Sequence, residues 1–329
     1  MNNKSDDFKN HLSKIYRLKI DEIIPYKTIY KVISGDKSYI LKRVKNRNLI
    51  NNYNYLLSQK FANFVMPLVT IDRNLTTQYN NYSYYLTPYV DNIDYPLDKR
   101  LIDYIYLLSK LHKATNIKRQ FKKDQFKRIY KKQMRHLNDH FFILDEFLSE
   151  CETSENKNIF MWHYLMQYQD MIYIKNNLME VQKMIDDALP NIDQFDYSLI
   201  HNSTSLDHFI VTNEKNYLVS LDQSIISLKI VDYIKLFIEY CEYPVDWLGL
   251  IKSEEISDFE FYYFVFNVIY YMILSIDITT SLNQSPYIAI NNIINNLDVI
   301  EKIIYIYQQH KRLATEEIDK TNYTDIDKS

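Results

Sequence analysis

Two glycines, Gly35 and Gly249, in a chain of 329 residues constrain this sequence more than any other feature. Loops that wrap backbone closely around phosphate need several residues without a Cβ, so glycine-rich phosphate loops of the P-loop, dinucleotide-binding and protein-kinase types are excluded or weakened. The chain is otherwise built to fold: 47% hydrophobic against 25% charged residues is a globular balance, and the length allows two lobes. A net charge of −3 gives no general attraction to nucleic acid or to an anionic membrane, and neither is expected as a partner. Cys151 and Cys241 are too few for a disulfide framework, and the opening MNNKSDDFKNHLSK alternates charge without an apolar run, so a reducing cytoplasm is the expected compartment. The 31 tyrosines and the pairs Asn51-Asn52, Asn80-Asn81, Asn291-Asn292 and Asn295-Asn296 read as the codon usage of an AT-rich genome, with tyrosine-based adhesion in an assembly as the functional alternative.

Periodicity changes along the chain. After a short leading helix over 8–20, residues 28–33 and 38–44 alternate as two strands about Ser34-Gly35-Asp36-Lys37, a hairpin signal. A polar helix over 47–61 keeps Leu49, Tyr53, Leu56 and Leu57 on one side; further strands are expected over 65–71 and 82–89. From there the spacing is helical: 101–114, then the basic run 118–132 read as a solvated helix face, with long helices on to 189. Residues 261–276 lack any charge, yet they are short for a membrane span and interrupted by Asn267, so they read as a buried helix. A closing amphipathic helix spans 288–312.

Residues 199–232, LIHNSTSLDHFIVTNEKNYLVSLDQSIISLKIVD, put a polar loop from His201 ahead of a hairpin whose arms are Phe209-Ile210-Val211 and Tyr217-Leu218-Val219. This order resembles the aminoglycoside-phosphotransferase/choline-kinase superfamily, where an HGD…N loop precedes the first strand and IDFD or IDWE ends the second. On that layout His201 keeps the histidine, but Asn202 replaces the glycine, Ser203 the catalytic aspartate, His208 the metal-binding asparagine and Ser220 the metal-binding aspartate. Asp222 and Asp232 match the second acid and the later acid that opens the following helix. The strand ending YILKRV resembles the one bearing the phosphate-pairing lysine, which would be Lys42; the alternative is an ordinary surface lysine. Leu86-Thr87-Pro88-Tyr89-Val90 resembles the interlobe hinge, so Leu86, Pro88 and Tyr89 are the expected nucleotide contacts. The LLSKLH segment at 107–112 is similar to a helix of these kinases, particularly the spore-coat CotS-like branch, with His112 packed or capping. In the resembling families the 47–61 helix can offer a glutamate to the lysine, whereas here it offers Asn51, Asn52 and Asn54.

The resemblance implies an α+β, two-lobed protein-kinase-like fold: a small sheet-rich N-terminal lobe over 1–90, a large helical C-terminal lobe over 91–314, and a frayed tail over 315–329. It also implies chemistry that has been lost. Ser203 cannot act as a base near neutrality, and a missing general base costs ~10²–10⁴ in rate. His208 offers nitrogen where magnesium prefers oxygen, and Ser220 brings no charge. One rescue stays open: on a strand, positions i and i+2 share a face about 7 Å apart, so Asp222 could serve where Ser220 fails, with Asp207 as a displaced metal ligand. Their alternatives are structural, Asp207 as a turn residue and Asp222 as an acceptor of backbone N–H groups. Asp232 is expected to order the loop or cap the next helix. The expectation is therefore a pseudokinase with a scaffolding role of spore-coat type, requiring no cofactor, binding ATP with magnesium weakly at most, and working through a protein partner or assembly. The alternative is an active ATP-dependent phosphotransferase acting on the alcohol group of a small-molecule substrate through a metal site rebuilt on Asp222.

Overall fold

Strand-type alternation in the first ninety residues becomes an antiparallel sheet backed by the leading helix. The computed structural model describes residues 2–26, 29–44, 48–278 and 285–326, with side chains from Asp6 to Ala314. These fall into two compact units, residues 1–117 with 197–232, and residues 118–196 with 233–329.

In the first unit, helix α1 (Asn2–Tyr16) is followed by strands β1 (Glu22–Tyr26), β2 (Ile29–Ser34) and β3 (Lys37–Arg43), helix α2 (Leu49–Ser58), strands β4 (Thr77–Tyr79) and β5 (Tyr82–Pro88), and helix α3 (Leu97–Ala114). The sheet has five strands in the order β1-β2-β3-β5-β4. Its β2–β3 turn uses Gly35 at φ 61°, a conformation strained for any residue with a Cβ, and its N–H donates to Asp21. Because successive strand residues point to opposite faces, Tyr39 and Leu41 of β3 join Leu86 of β5 in a core with Leu12 and Tyr16 of α1, leaving Ile40, Lys42, Tyr85 and Thr87 for the other face.

The chain crosses to the second unit through β6 (Ile117–Gln120) and builds α4 (Lys123–Thr153), α5 (Ile159–Met166) and α6 (Tyr168–Ala188), then returns along β7 (Gln194–Ile200). Strands β8 (Phe209–Ile210) and β9 (Tyr217–Leu218) form the expected hairpin, and β10 (Ile225–Leu228) pairs antiparallel with β7, Ile225 opposite Ile200. Helix α7 (Ile230–Tyr240) leads to α8 (Trp247–Ser253), α9 (Asp258–Leu274) and a closing helix α10 (Pro286–Ile326). The charge-free segment is the body of α9, apolar on every side because α4, α6 and α10 all pack against it. Ser257 and Glu260 close its N-terminus as a capping box. Among the described residues no helix is long and apolar enough to cross a membrane.

The structure corrects three readings. Residues 65–71 are not a strand: Pro67 has no N–H to give to a ladder, and the segment is tied down at single points, Val65 to Leu218 and Leu68 to Leu86. Strands β1, β7 and β10 carry Pro25, Asp196 and Ser227 inside their apolar patterns and escaped the alternation test. The basic run does not begin as a helix but as β6, with α4 starting at Lys123.

Candidate functional site

The face of the sheet turned away from α1 roofs a cleft that lies wholly within the first unit and encloses about 260 Å³. Ile29, Ile40, Val65, Ile210 and Val219 give it apolar walls, Tyr53 and Tyr85 stand behind, and Pro88, Tyr89 and Val90 border it. Its volume falls just below that of ordinary ligand pockets, ~300–1,000 Å³, and its apolar walls suit a planar ring. Of the expected hinge contacts, Pro88 and Tyr89 line this space while Leu86 does not: its side chain is fully buried on the α1 side, and its carbonyl accepts from Leu68 N at 2.7 Å.

Lys42 reaches into the cleft from β3, and its ammonium donates to the Ser220 hydroxyl at 2.5 Å. The cation thus meets a neutral oxygen at the position where the resembling pattern carries an aspartate. Ser220 holds a left-handed backbone, φ 67° and ψ 34°, which costs a residue with a side chain roughly 1–2 kcal/mol. Strand β9 has already ended at Leu218. Leu221–Gln223 is a turn of 3-10 helix, so the i, i+2 argument that aimed Asp222 into the same space fails. Asp222 is instead buried behind Tyr85, whose hydroxyl donates to Oδ1 at 3.3 Å, while the Gln223 amide donates to Oδ2 at 3.1 Å. From α2, the Asn52 amide donates to the carbonyls of Leu221 at 3.0 Å and Ser224 at 2.8 Å. The helix that could offer the lysine an acid thus offers an amide that pins this turn.

The loop from His201 is organised by Asp232, which lies in the first turn of α7. Fully buried, Asp232 accepts from the backbone N–H of His201 and of Asn202, each at 2.8 Å, and from His112 Nε2 at 3.0 Å. Burial alone would raise its carboxyl; the His112 hydrogen bond, the favourable electrostatics of the nearby His112 and His201 imidazoles and the Asn202 N–H outweigh that and hold it below the usual carboxylate range. His112 is accordingly a packed hydrogen-bond partner. Asn202 sits at φ 61°, where the resembling pattern has glycine, and asparagine is the side chain that tolerates that region best. His201 is fully buried, donates from Nε2 to Val219 O at 2.8 Å, and is held neutral: burial pulls it down to about 4 although Asp232 pulls the other way.

Ser203 and His208 occupy each other. His208 Nδ1 donates to Ser203 O at 2.8 Å and lies 3.2 Å from the Ser203 hydroxyl, and burial lowers His208 so that it too is neutral at pH 7. Asp207 and His208 line the cleft; Ser203 and Asp222 do not. Magnesium requires a near-octahedral set of oxygens. Here the candidate donors are the His208 imidazole, a hydroxyl already engaged by Lys42, the Asp207 carboxylate on the cleft wall and the Asp222 carboxylate with both oxygens bonded inside the fold, and no group of three or more His, Cys, Asp or Glu among the described residues could hold a metal. The donor set does not fit the ion.

Sequence reasoning named Asn52 only as standing where an acid is missing, and passed over Arg100 and Asn92. Arg100 of α3 donates to the carbonyls of Leu206 at 3.3 Å and Phe209 at 2.5 Å, and Asn92 Oδ1 accepts from Val211 N at 2.9 Å, so both fix the hairpin's entry. Asn52 had a signal, a polar side chain on the helix face that carries Leu49, Tyr53 and Leu56; the other two had none.

No protein-family model matches the chain, and no curated protein matches it by sequence. Solved structures do match by shape. An aminoglycoside phosphotransferase from Alicyclobacillus acidocaldarius superposes with a TM-score of 0.69 at 13% identity, over 92% of this chain and 95% of its own. A spectinomycin phosphotransferase, in complex with ADP and spectinomycin, gives 0.53 at 14% identity over 94% and 100%. An amicoumacin kinase, in complex with AMP-PNP, calcium and its antibiotic, gives 0.50 at 11% identity over 90% and 93%. At these identities the likeness establishes the fold: α+β and kinase-like, with a sheet-rich N-terminal part and a large helical C-terminal part.

Proposed function

We propose that this kinase-like chain is a pseudokinase: its cleft takes a nucleoside or nucleotide weakly and without dependence on magnesium, and it transfers no phosphate. The observation that carries this reading is the Lys42–Ser220 hydrogen bond, which puts a hydroxyl at the position where phosphoryl transfer needs a metal-holding carboxylate. The apolar slot between Ile40 and Val219 supports ring binding, and phosphotransferases of the same fold hold ADP or AMP-PNP. Against transfer stand the lost base at Ser203, the imidazole of His208 turned back onto Ser203, and the unfit donor set. These losses bear on one transition state and compound there. The alternative, catalysis through Asp222, requires that carboxylate to leave its bonds to Tyr85 and Gln223. A role as a scaffold in a protein assembly follows from a retained architecture without its chemistry; a cytoplasmic site of action and spore-coat membership rest only on the cysteine usage and CotS-like resemblance described above.

Calorimetric titration with ADP and ATP, with and without magnesium, tests the reading alongside an assay of phosphate transfer to a panel of hydroxyl compounds. Weak affinity that magnesium leaves unchanged, and no transfer, is expected. Magnesium-dependent micromolar binding, or turnover that Asp222→Ala abolishes, overturns it.

A further inference from the structure

Helix α4 carries its charges in the wrong order for its own dipole. Its first half holds Lys123, Lys127, Arg128, Lys131, Lys132 and Arg135 against the single acid Asp124; its last two turns hold Glu146, Glu150 and Glu152 with no base. A helix is positive at its N-terminus and negative at its C-terminus, so, Asp124 of the first turn apart, this arrangement opposes it at both ends. Spacing compounds the problem, because Lys127–Lys131, Arg128–Lys132, Lys131–Arg135 and Glu146–Glu150 are like charges at i, i+4. Lys123 pairs with Asp193 at 3.1 Å, and Asp145 with Lys175 at 2.7 Å. Among the described residues the other charges of the two clusters form no ion pair. Between the clusters the same outward side bears Phe142, 62% exposed, and Ile143, 42% exposed, while Phe126, Tyr130, Leu137, Phe141 and Leu144 bury the opposite side.

We propose that this outward face is a self-association surface on which α4 of a second copy lies antiparallel. In the register that sets Arg135 against Glu146 of the second copy, two-fold symmetry also sets Lys131 against its Glu150, because both pairs centre on one point between His140 and Phe141. Each pair occurs twice. Phe142 and Ile143 lie beside the axis with Asp139 among them, and the charged pairs flank this centre on both sides, as the polar rim does in specific interfaces. A parallel alignment would set base on base and acid on acid. A polyanion such as RNA would be drawn to the first half of the helix and repelled by the second, which leaves a second copy as the partner whose charge matches both halves. One helix pair stands at the small end of specific interfaces, about 1,200 Å² or less, so the association is weak and concentration-dependent. It is independent of what occupies the cleft.

Sedimentation equilibrium of the full chain, from about 1 to about 200 µM, at ionic strengths of about 0.02 M and about 0.5 M, reads the dimer directly. A monomer–dimer equilibrium that weakens with salt is expected, with Arg135→Glu and Glu146→Arg each weakening it about tenfold. The double variant R135E/E146R restores it. All these positions are exposed, and thermal melts of each variant establish that it folds. Phe142→Ser gives a charge-neutral check and also weakens the dimer. A chain that is monomeric throughout, a dimer indifferent to both reversals, a double variant no better than the singles, or association only after RNA is added overturns the proposal.

Discussion

His201 makes folding of this chain acid-labile in a window set by its burial. Its ring is fully enclosed, with Nε2–H given to Val219 O at 2.8 Å, and the native imidazole titrates at about 4 against 6.5 in the open chain. Here the folded value is depressed, the reverse of a histidine that gains an acid partner. The unfolded state therefore binds a proton that the native state refuses, and stability is complete above 6.5 and lost as pH falls toward 4. One proton is worth about 1.4 kcal/mol per pH unit, so the 6.5 to 4 interval amounts to about 3 kcal/mol, of which about 2 is gone by pH 5. The perturbation is His201→Gln, whose amide can still donate to Val219 O but does not titrate. Urea unfolding of both proteins between about pH 7 and about pH 4.5 should show the variant less stable at pH 7 yet flatter, the difference closing by about 2 kcal/mol by pH 5. His208, lowered in the same direction, is present in both proteins and cancels. Asp232 is depressed below 3.8 and is lost only at more acid pH. Parallel curves for the two proteins would refute the reasoning.

Asn52→Ala removes two buried hydrogen bonds, leaving the Leu221 and Ser224 carbonyls without that donor; a loss of ~2–4 kcal/mol by urea denaturation is expected, whereas Asn54→Ala, on the exposed side of α2, should cost under ~0.5 kcal/mol. Ser220→Asp places a carboxylate against Lys42; a calorimetric titration should then show ADP affinity that responds to magnesium, a response not expected of the parent protein. Ile40→Trp fills the slot from the cleft side of β3, and thermal-shift titration should find the nucleotide response gone while Lys42 remains.

The order of elements was legible in the sequence because periodicity survives any tertiary detail. Alternation about Gly35 identified β2 and β3, and the two apolar arms around residues 212–216 identified the β8–β9 hairpin. The absence of charge in 261–276 identified a buried helix, since only a core surrounded on all sides can use it. Placement on a face was legible too: Lys42 shares its side of β3 with Ile40, and both line the cleft. What the sequence could not supply was the path of the chain after Ser220. Local spacing made Asp222 a neighbour of Ser220 on one strand face, but the left-handed backbone at Ser220 turns the chain into a 3-10 helix and buries that acid behind Tyr85. The turn is held by Asn52, 169 residues away from the Leu221 carbonyl it binds. A carboxylate's reach and a histidine's protonation depend on such distant donors and on burial, and only the tertiary structure brings those together.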